Sequence, residues 1–248
     1  MAEFSSIDWR RLLTEGVVIV ASILLAFSID AWWEERQVRS ELRDAMVAVL
    51  DDLRQSKDLI GQARNQVTAQ QKSIEMLLEI AYDQSRTPGE FDVDSLLRNI
   101  NWWIGYVPLK TSALESIVSS GNLALVRNNE LRRAITDWSG SYDLLDTAIS
   151  EEVEYNRGMF WPYVQKNTNW AQIDSVHDQI PGVPGGEYPD FPLSPSDSVN
   201  HSPLLADKEF QNILFYGWEI KADLVLALGW SEEWIGTTIK LLEEELRP

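Results

Sequence analysis

The segment that most constrains this chain is an uncharged run of 14 residues from Gly16 to Ile29. At about 1.5 Å per residue a helix of that length covers only about 21 Å, less than the hydrocarbon core of a bilayer. The apolar flanks extend it to residues 12–33, a segment of 22 residues that reaches about 33 Å and can span a membrane. Trp9 and Trp33 stand at its two ends, where tryptophan favours the interface. Since no small-x-small cleavage site follows, we predict an uncleaved signal anchor. The alternative is a core helix of a soluble all-helical domain.

One face of the predicted span carries small and acidic residues. At 100° per residue, Ser22 and Ala26 form a small-xxx-small pair that permits close helix packing. Acids at membrane depth usually face protein or water. We therefore predict a face that docks on transmembrane subunits of a larger complex. The alternative is that Glu15 and Asp30 lie among the lipid headgroups and that the small-xxx-small spacing is accidental. The predicted docking residues are Glu15, Ile19, Ser22, Ala26, Asp30 and Trp33.

Charge and composition restrict the remaining partners and the compartment. With 21 basic and 39 acidic residues the net charge is −18, which disfavours nucleic acid. There is no cysteine, so disulfides and thiol catalysis are excluded. Arginines flank the span almost equally on both sides. A short N-terminal tail before a single anchor usually stays in the cytoplasm. We therefore predict a single-pass protein of the bacterial inner membrane, with its bulk in the periplasm and the lipid bilayer around its span.

A heptad seam predicts that the helix continues well beyond the span. The spacing alternates between four and three residues, and ten of the twelve positions are apolar. The seam predicts one helix from Leu12 to about Tyr82, ended by Pro88 and Gly89. Its positions are Leu42, Met46, Val49, Leu53, Ser56, Ile60, Ala63, Val67, Gln70, Ile74, Leu77 and Ala81.

The rest of the chain also has a helical pattern, and the predicted fold is all-α. Two short helices are expected, at residues 93–104 and 112–120; Thr111 and Ser112 are candidate caps, and Ser112 with Glu115 fits a capping box. A long helix capped by Asn128 should run to about residue 160, and a last one from 207 to 246. The N-terminal transmembrane helix thus continues into an antiparallel bundle of three long helices and two short ones. The predicted divisions are a tail at 1–11, the span at 12–33 and the bundle domain at 34–248 with an irregular proline-rich connection at 166–206.

The three long helices suggest where the connection lies. If the second helix returns toward the membrane, the connection and its aromatic residues lie at the membrane end of the bundle. Trp161, Tyr163 and Trp170 could then contact a partner or headgroups, and the alternative is plain core packing.

No motif for catalysis or for a cofactor stands out. The two histidines, His177 and His201, lack the spacing of a zinc or di-iron site. Glu151, Glu152 and Glu154 are interpreted as a solvated face. Phosphate-binding, dinucleotide-binding and nucleophile-elbow motifs are missing from the sequence. We therefore expect a protein that is not an enzyme and needs neither metal nor cofactor.

Two segments resemble an uncharacterised bacterial family of single-pass membrane proteins. The first is "FSIDAWWEERQ" at 27–37, followed by "LDDL" at 50–53. The second is "TSALESIVSSGNLALVRNNELRRAITDW" at 111–138, which is similar to the Ser-Gly-Asn-Leu hairpin of that family. The resemblance covers about a quarter to a third of the chain. It implies membrane anchoring and a helical domain, and it brings no activity.

Two functions remain open. The first is an accessory subunit that packs its span against a larger membrane complex, such as an energy-converting one. The second is an exported helical bundle that senses a ligand and signals through a separate partner. The absence of catalytic motifs and the docking face of the span favour the first.

Overall fold

The computed structural model describes residues 9–82, 93–101, 107, 109–173 and 200–247, and within them the side chains other than those at 9–16, 122, 171 and 172. Every regular element in these ranges is helical, which confirms the predicted all-α fold. The helices are α1 (Trp9–Tyr82), α2 (Val93–Asn101), α3 (Ser112–Ser119), α4 (Asn129–Thr136), α5 (Trp138–Tyr155), α6 (Trp161–Asn167), α7 (Trp170–Ile173), α8 (Ser202–Leu205) and α9 (Lys208–Glu245).

The predicted continuity of the first helix is confirmed. α1 comprises 74 residues, a length of about 111 Å at 1.5 Å per residue. It begins at Trp9, so the last residues of the predicted tail belong to it. Ten of the twelve seam positions are buried, and Ala63 and Ala81 are partly buried. The two polar seam residues have partners: the Ser56 hydroxyl accepts a hydrogen bond from the backbone N–H of Lys110, and Gln70 accepts one from a lysine described below.

α1 and α9 lie antiparallel along the whole bundle. Side-chain contacts between them are in reverse sequence order, because residue numbers rise along α1 while they fall along α9. The contacts pair Arg43 with the carbonyl of Leu246, Arg54 with Glu243, Arg64 with Glu232 and Glu75 with Trp218. The free part of α1, before Leu42, therefore leaves the bundle at the end where α9 finishes.

The segment from α4 to α6 runs parallel to α1, contrary to the returning direction that we predicted. The backbone N–H of Arg127 donates to Glu245 near the end of α9, whereas Tyr163 in α6 contacts Asp207 at its start. Ile173 packs in one cluster with Leu77. The predicted position of residues 161–170 at the membrane end is therefore wrong, because they lie at the opposite end of the bundle.

The returning leg is the segment that contains α2 and α3. Asn99 in α2 donates to the backbone carbonyl of Ala69 and to the hydroxyl of Ser73, near the far end of α1. By Lys110 the chain has moved back beside Ser56. Because this interrupted stretch covers the distance, the topology is up–down–up–down with α4–α6 as the third leg. Sequence lengths alone did not reveal it, since neither helix of the returning leg is long.

Helix caps explain most of the boundaries in the middle of the chain. Gly121, after the C-cap of α3, adopts a left-handed φ of 73°, which glycine accommodates without strain. The Asn128 side chain accepts hydrogen bonds from the backbone N–H groups of Glu130 and Leu131, which confirms the predicted cap. The capping box at Ser112 is wrong, because Thr111 is the N-cap residue and its hydroxyl donates to the carboxylate of Glu115.

The predicted single helix from Asn128 to residue 160 is divided. It breaks at Asp137 and then widens into a π-helical turn at Asn156–Phe160. α6 follows directly, with Pro162 in its first turn, where a missing backbone N–H is tolerated. Helical structure therefore continues to Asn167 and resumes in α7 and α8, inside the connection that we predicted to be irregular. Residues 174–199 of that connection, and residues 102–104 of the first predicted short helix, lie outside the described residues.

Candidate functional site

The N-terminal part of α1 is apolar, and its most apolar window does not pack against the bundle. Its most apolar window has a mean hydropathy of 1.8 and none of it is buried, so it is long and apolar enough to cross a membrane. Among the described side chains of α1, burial begins at Leu42, apart from partial burial of Val38. A core helix of a soluble domain would be covered by its own chain. The alternative that this run is a core helix therefore disagrees with the structure.

Every described residue of the predicted docking face is exposed. Ile19 and Trp33 are 58% and 63% exposed, and Ala26 and Asp30 are exposed as well. The Ser22 hydroxyl donates to the carbonyl of Val18 at 2.7 Å, which satisfies it without a partner helix. The side chain of Glu15 lies outside the described residues. The face is available for docking, and docking itself stays a prediction.

The end of the apolar segment has the chemistry of a membrane interface. Trp32 and Trp33 lie side by side with ring centroids 6.3 Å apart. The guanidinium of Arg36 sits 5.6 Å from the centroid of the Trp32 ring, within the range of a cation–π contact. One turn later Arg39 pairs with Glu35 at 2.5 Å. Aromatic rings followed by charged groups are typical of the boundary between lipid and water.

The three aromatic residues predicted to contact a partner pack mainly against their own chain. Trp161 and Trp170 are half-buried and meet edge to face, with centroids 4.9 Å apart. Tyr163 is buried and stacks on Phe210 at 5.6 Å. Tyr163 therefore packs in the core of the bundle. The Trp161–Trp170 pair keeps exposed surface at the end of the bundle farthest from the predicted span.

A hydrogen bond fastens α6 to the start of α9. The Tyr163 hydroxyl donates to the Asp207 carboxylate at 2.7 Å, and Asp207 also accepts from the backbone N–H of Glu209 as the N-cap of α9. The Tyr163 hydroxyl and that backbone N–H hold the pKa of Asp207 below its ordinary value. Burial and the Asp207 carboxylate raise the pKa of Tyr163.

A buried polar layer divides the core of the bundle. The ammonium of Lys221 in α9 contacts the carboxylate of Glu152 in α5 and donates to Gln70 in α1 at 2.7 Å. All three side chains are completely buried. Burial lowers the pKa of Lys221, and the Glu152 carboxylate opposes that shift. The solvated face predicted for the glutamate cluster is thus wrong at Glu152, while Glu151 and Glu154 are exposed.

The layer lies between two apolar clusters. One cluster contains Leu42 to Val67 of α1 and Leu224 to Leu242 of α9, and the other contains Ile74 to Ile80 and Phe210 to Ile220. Because Lys221 reaches both Glu152 and Gln70 only when these positions of α1, α5 and α9 face one another, the layer favours the observed register. One signal of the layer is present in the sequence: Gln70 is one of the two polar positions in the heptad seam.

Next to the polar layer, Tyr155 lies fully buried with a hydroxyl that has no hydrogen-bond partner in the described part of the chain. The hydroxyl occupies the place that a Cβ on Gly217 would need. Burial, and secondarily the nearby Glu152, raise the pKa of Tyr155, so the hydroxyl stays protonated at neutral pH. Sequence reasoning missed this pair, because only the packing brings Tyr155 and Gly217 together.

Tyr155 also lines an open groove of about 860 Å³ between α5 and α9. Four exposed carboxylates line the groove, together with aromatic side chains, Ile220, Ala222 and part of the π-helical turn. None of the four carboxylates has an ion pair or a hydrogen bond within the part of the chain that the structure describes. The lining includes Glu151, Glu154, Glu219, Asp223, Tyr216, Trp218, Gly158 and Met159.

The histidines show no metal chemistry in the described ranges. His201 is buried, and its Nε2 lies 2.6 Å from a carboxylate oxygen of Asp94, which ties the start of α8 to the start of α2. His177 lies outside the described residues. Among the residues that the structure describes, no group of three or more His, Asp or Glu side chains could hold a metal ion.

A scan against protein-family models, a search of curated proteins and a search of solved structures each found no match to this chain.

Proposed function

We propose that this protein is a membrane-anchored interaction protein without enzymatic activity, an accessory subunit whose span packs against the transmembrane subunits of a larger complex. The observation that carries the proposal is the apolar part of α1, which is continuous with a packed bundle helix and yet has an unburied apolar window. Exposed apolar surface of that size marks a contact with lipid or protein. The proposed cellular location is the inner membrane of a bacterium, with the bundle in the periplasm.

The docking face supports a protein partner in addition to lipid. Ser22 and Ala26 let another helix approach closely, and Asp30 near the end of the span gains from a polar or protein-facing environment. The sequence resemblance to a family of single-pass membrane proteins agrees with anchoring and stays a prediction.

The test compares bulky substitutions on two faces of the span. Ser22→Leu with Ala26→Leu should reduce recovery of the complex in mild detergent, because added bulk prevents close helix approach. Ala21→Leu with Ser28→Leu is the matched control: it makes the same two changes on the opposite face, where Ser28 has the same back-bond to its own helix, to the carbonyl of Leu24.

Both double variants should remain in the membrane after carbonate extraction, since each raises the hydrophobicity of the span. A complex of unchanged composition with the Ser22 and Ala26 variant would refute the docking face. Release of the wild-type chain by carbonate would refute the anchor itself.

A further inference from the structure

We propose that the bundle has a second membrane contact: the tip that joins α3 to α4, residues 118–127, lies on the headgroups of the bilayer that the span crosses. The surface that it fits is that of anionic phospholipid. The inference rests on the anchoring part of the proposed function, and it does not depend on the docking face of the span.

The topology places the tip at the end of the bundle from which the free part of α1 leaves. The returning leg runs toward that end and α4 runs away from it, so the chain turns at the tip. The backbone N–H of Arg127 donates to Glu245 at 3.1 Å, close to the end of α9. At the same end, the carbonyl of Leu246 accepts a hydrogen bond from Arg43. The tip therefore faces the side on which the predicted span lies.

The distance from the span to the tip is short. α1 rises by about 14 Å between Trp33 at the end of the span and Leu42 at the start of the core. The headgroup layer outside the hydrocarbon core occupies about 5–8 Å of that distance. A tilt of about 20° toward the tip lowers it by a further ~3 Å, since neighbouring helix axes lie about 8–10 Å apart. The side chains of the tip can reach across the distance that remains.

The tip carries exposed apolar side chains. Val118 and Leu125 are 48% and 46% exposed, although turns are normally built from glycine and polar residues. A short 3-10 helix at Asn122–Leu125 leads to Val126, which is buried in the main core cluster. The tip is thus fastened to the bundle while two apolar side chains stay uncovered. Burial among the headgroups would remove that apolar surface from water.

The tip has no acidic residue. From Ser116 to Asn129 the only charged side chain is Arg127, in a chain of net charge −18. Arg127, and Arg247 just after α9 at the same end, are exposed and have no ion pair or side-chain hydrogen bond within the described ranges. A guanidinium suits a lipid phosphate, and each arginine near an anionic surface favours contact by about fivefold. The carboxylates of this end lie on the helices.

The first experiment measures contact at the tip in nanodiscs that hold only the purified full-length chain. The chain has no cysteine, so Leu125→Cys can carry one fluorophore, which lipids with a nitroxide on the headgroup quench on contact. Leu144→Cys is the matched control, since Leu144 is 44% exposed and lies in α5, farther along the bundle. The label at position 125 should be quenched strongly and the label at 144 weakly.

Equal quenching at the two positions would overturn the contact of the tip. The anchor is judged separately, because a chain that stays in the nanodisc is anchored whether or not its tip is quenched. A tip that is not quenched in nanodiscs but is shielded from a water-soluble maleimide in native membranes would have a protein partner, which also overturns the proposal.

The second experiment tests the role of charge with the label at position 125. Replacing part of the phosphatidylcholine by phosphatidylglycerol should increase the quenching. Arg127→Gln with Arg247→Gln should lose this increase, by about fivefold in the contact equilibrium for each arginine. Lys57→Gln with Lys240→Gln removes two exposed cations from the side of the bundle and should keep it. Equal losses in both double variants, or no response to phosphatidylglycerol, would overturn the preference for anionic lipid.

Discussion

At Gly217 the side chain of Tyr155 fills the space that any Cβ would need. Alanine normally stabilises a helix interior relative to glycine by about 0.5–1 kcal/mol. Here the overlap should reverse that sign, and Gly217→Ala should lower the free energy of unfolding by about 1–3 kcal/mol, the usual range for overpacking. Urea denaturation followed by tryptophan fluorescence measures the change.

Gly236→Ala is the control in the same helix. The nearest side-chain atom to its new Cβ is the Nζ of Lys57, at 3.9 Å. This variant should be as stable as the wild type or more stable. If both alanine variants are stabilised, Tyr155 does not pack against Gly217 as the structure shows.

The contact of Tyr163 with Asp207 predicts a dependence of stability on pH. The folded-state pKa of Asp207 is lowered, so its contribution is present above its unfolded value of about 4. That contribution should be lost as the pH falls through the folded-state pKa. The melting temperature of the wild type should therefore drop on acidification from pH 5 more than that of Asp207→Asn, which lacks the titrating group. Equal slopes for the two proteins would contradict this prediction.

At the scale of elements, α1 has two parts with different roles. The part before Leu42 lacks buried side chains among those described, whereas the part from Leu42 onward forms the main core with α9. A helix segment that makes no tertiary contacts contributes little to the stability of a bundle. A chain lacking residues 1–37 should therefore be water-soluble and keep the helical circular dichroism of the bundle.

The melting temperature of the chain lacking residues 1–37 should lie within a few degrees of that of the full-length chain in detergent. The control deletes residues 1–54, which removes the buried residues Leu42, Val49 and Leu53. The control should lose cooperative unfolding, since several core side chains disappear. If the deletion of residues 1–37 also abolished folding, the span would take part in the core.

Helix positions followed from sequence wherever a local signal was present. The heptad seam predicted the end of α1 at Tyr82, and Asn128 predicted a cap that the structure confirms. The π-helical turn at Asn156–Phe160 had no such signal. A hydrophobic period of 3.6 residues predicts where a helix runs and which face is buried, but it does not predict a local change to π-helical hydrogen bonding.

At the scale of the whole molecule, the orientation in the membrane is the property most open to direct measurement. The chain has no cysteine, so single cysteines report on one position each. Gln62→Cys lies on an exposed position of α1 in the bundle, and Ser5→Cys lies in the N-terminal tail before the span. With the bulk in the periplasm, a membrane-impermeant maleimide should label Gln62→Cys in spheroplasts and Ser5→Cys only after lysis. The reverse pattern would place the bundle in the cytoplasm.

The sequence by itself determined the properties that depend on neighbouring residues. The length of the apolar segment at 12–33, the unbroken heptad that follows and the cap at residue 128 all act within a few turns of helix. Such signals are readable because a helix repeats every 3.6 residues and ends where its backbone groups find other partners.

The tertiary structure decided the direction of the third leg and the contents of the core. α4–α6 runs parallel to α1 because two short helices, α2 and α3, bring the chain back, and their lengths gave no sign of it. Lys221 meets Glu152 and Gln70, and Tyr155 meets Gly217, across separations of dozens of residues or more. Contacts of that kind depend on which faces of distant helices meet, and packing of the whole bundle sets those faces.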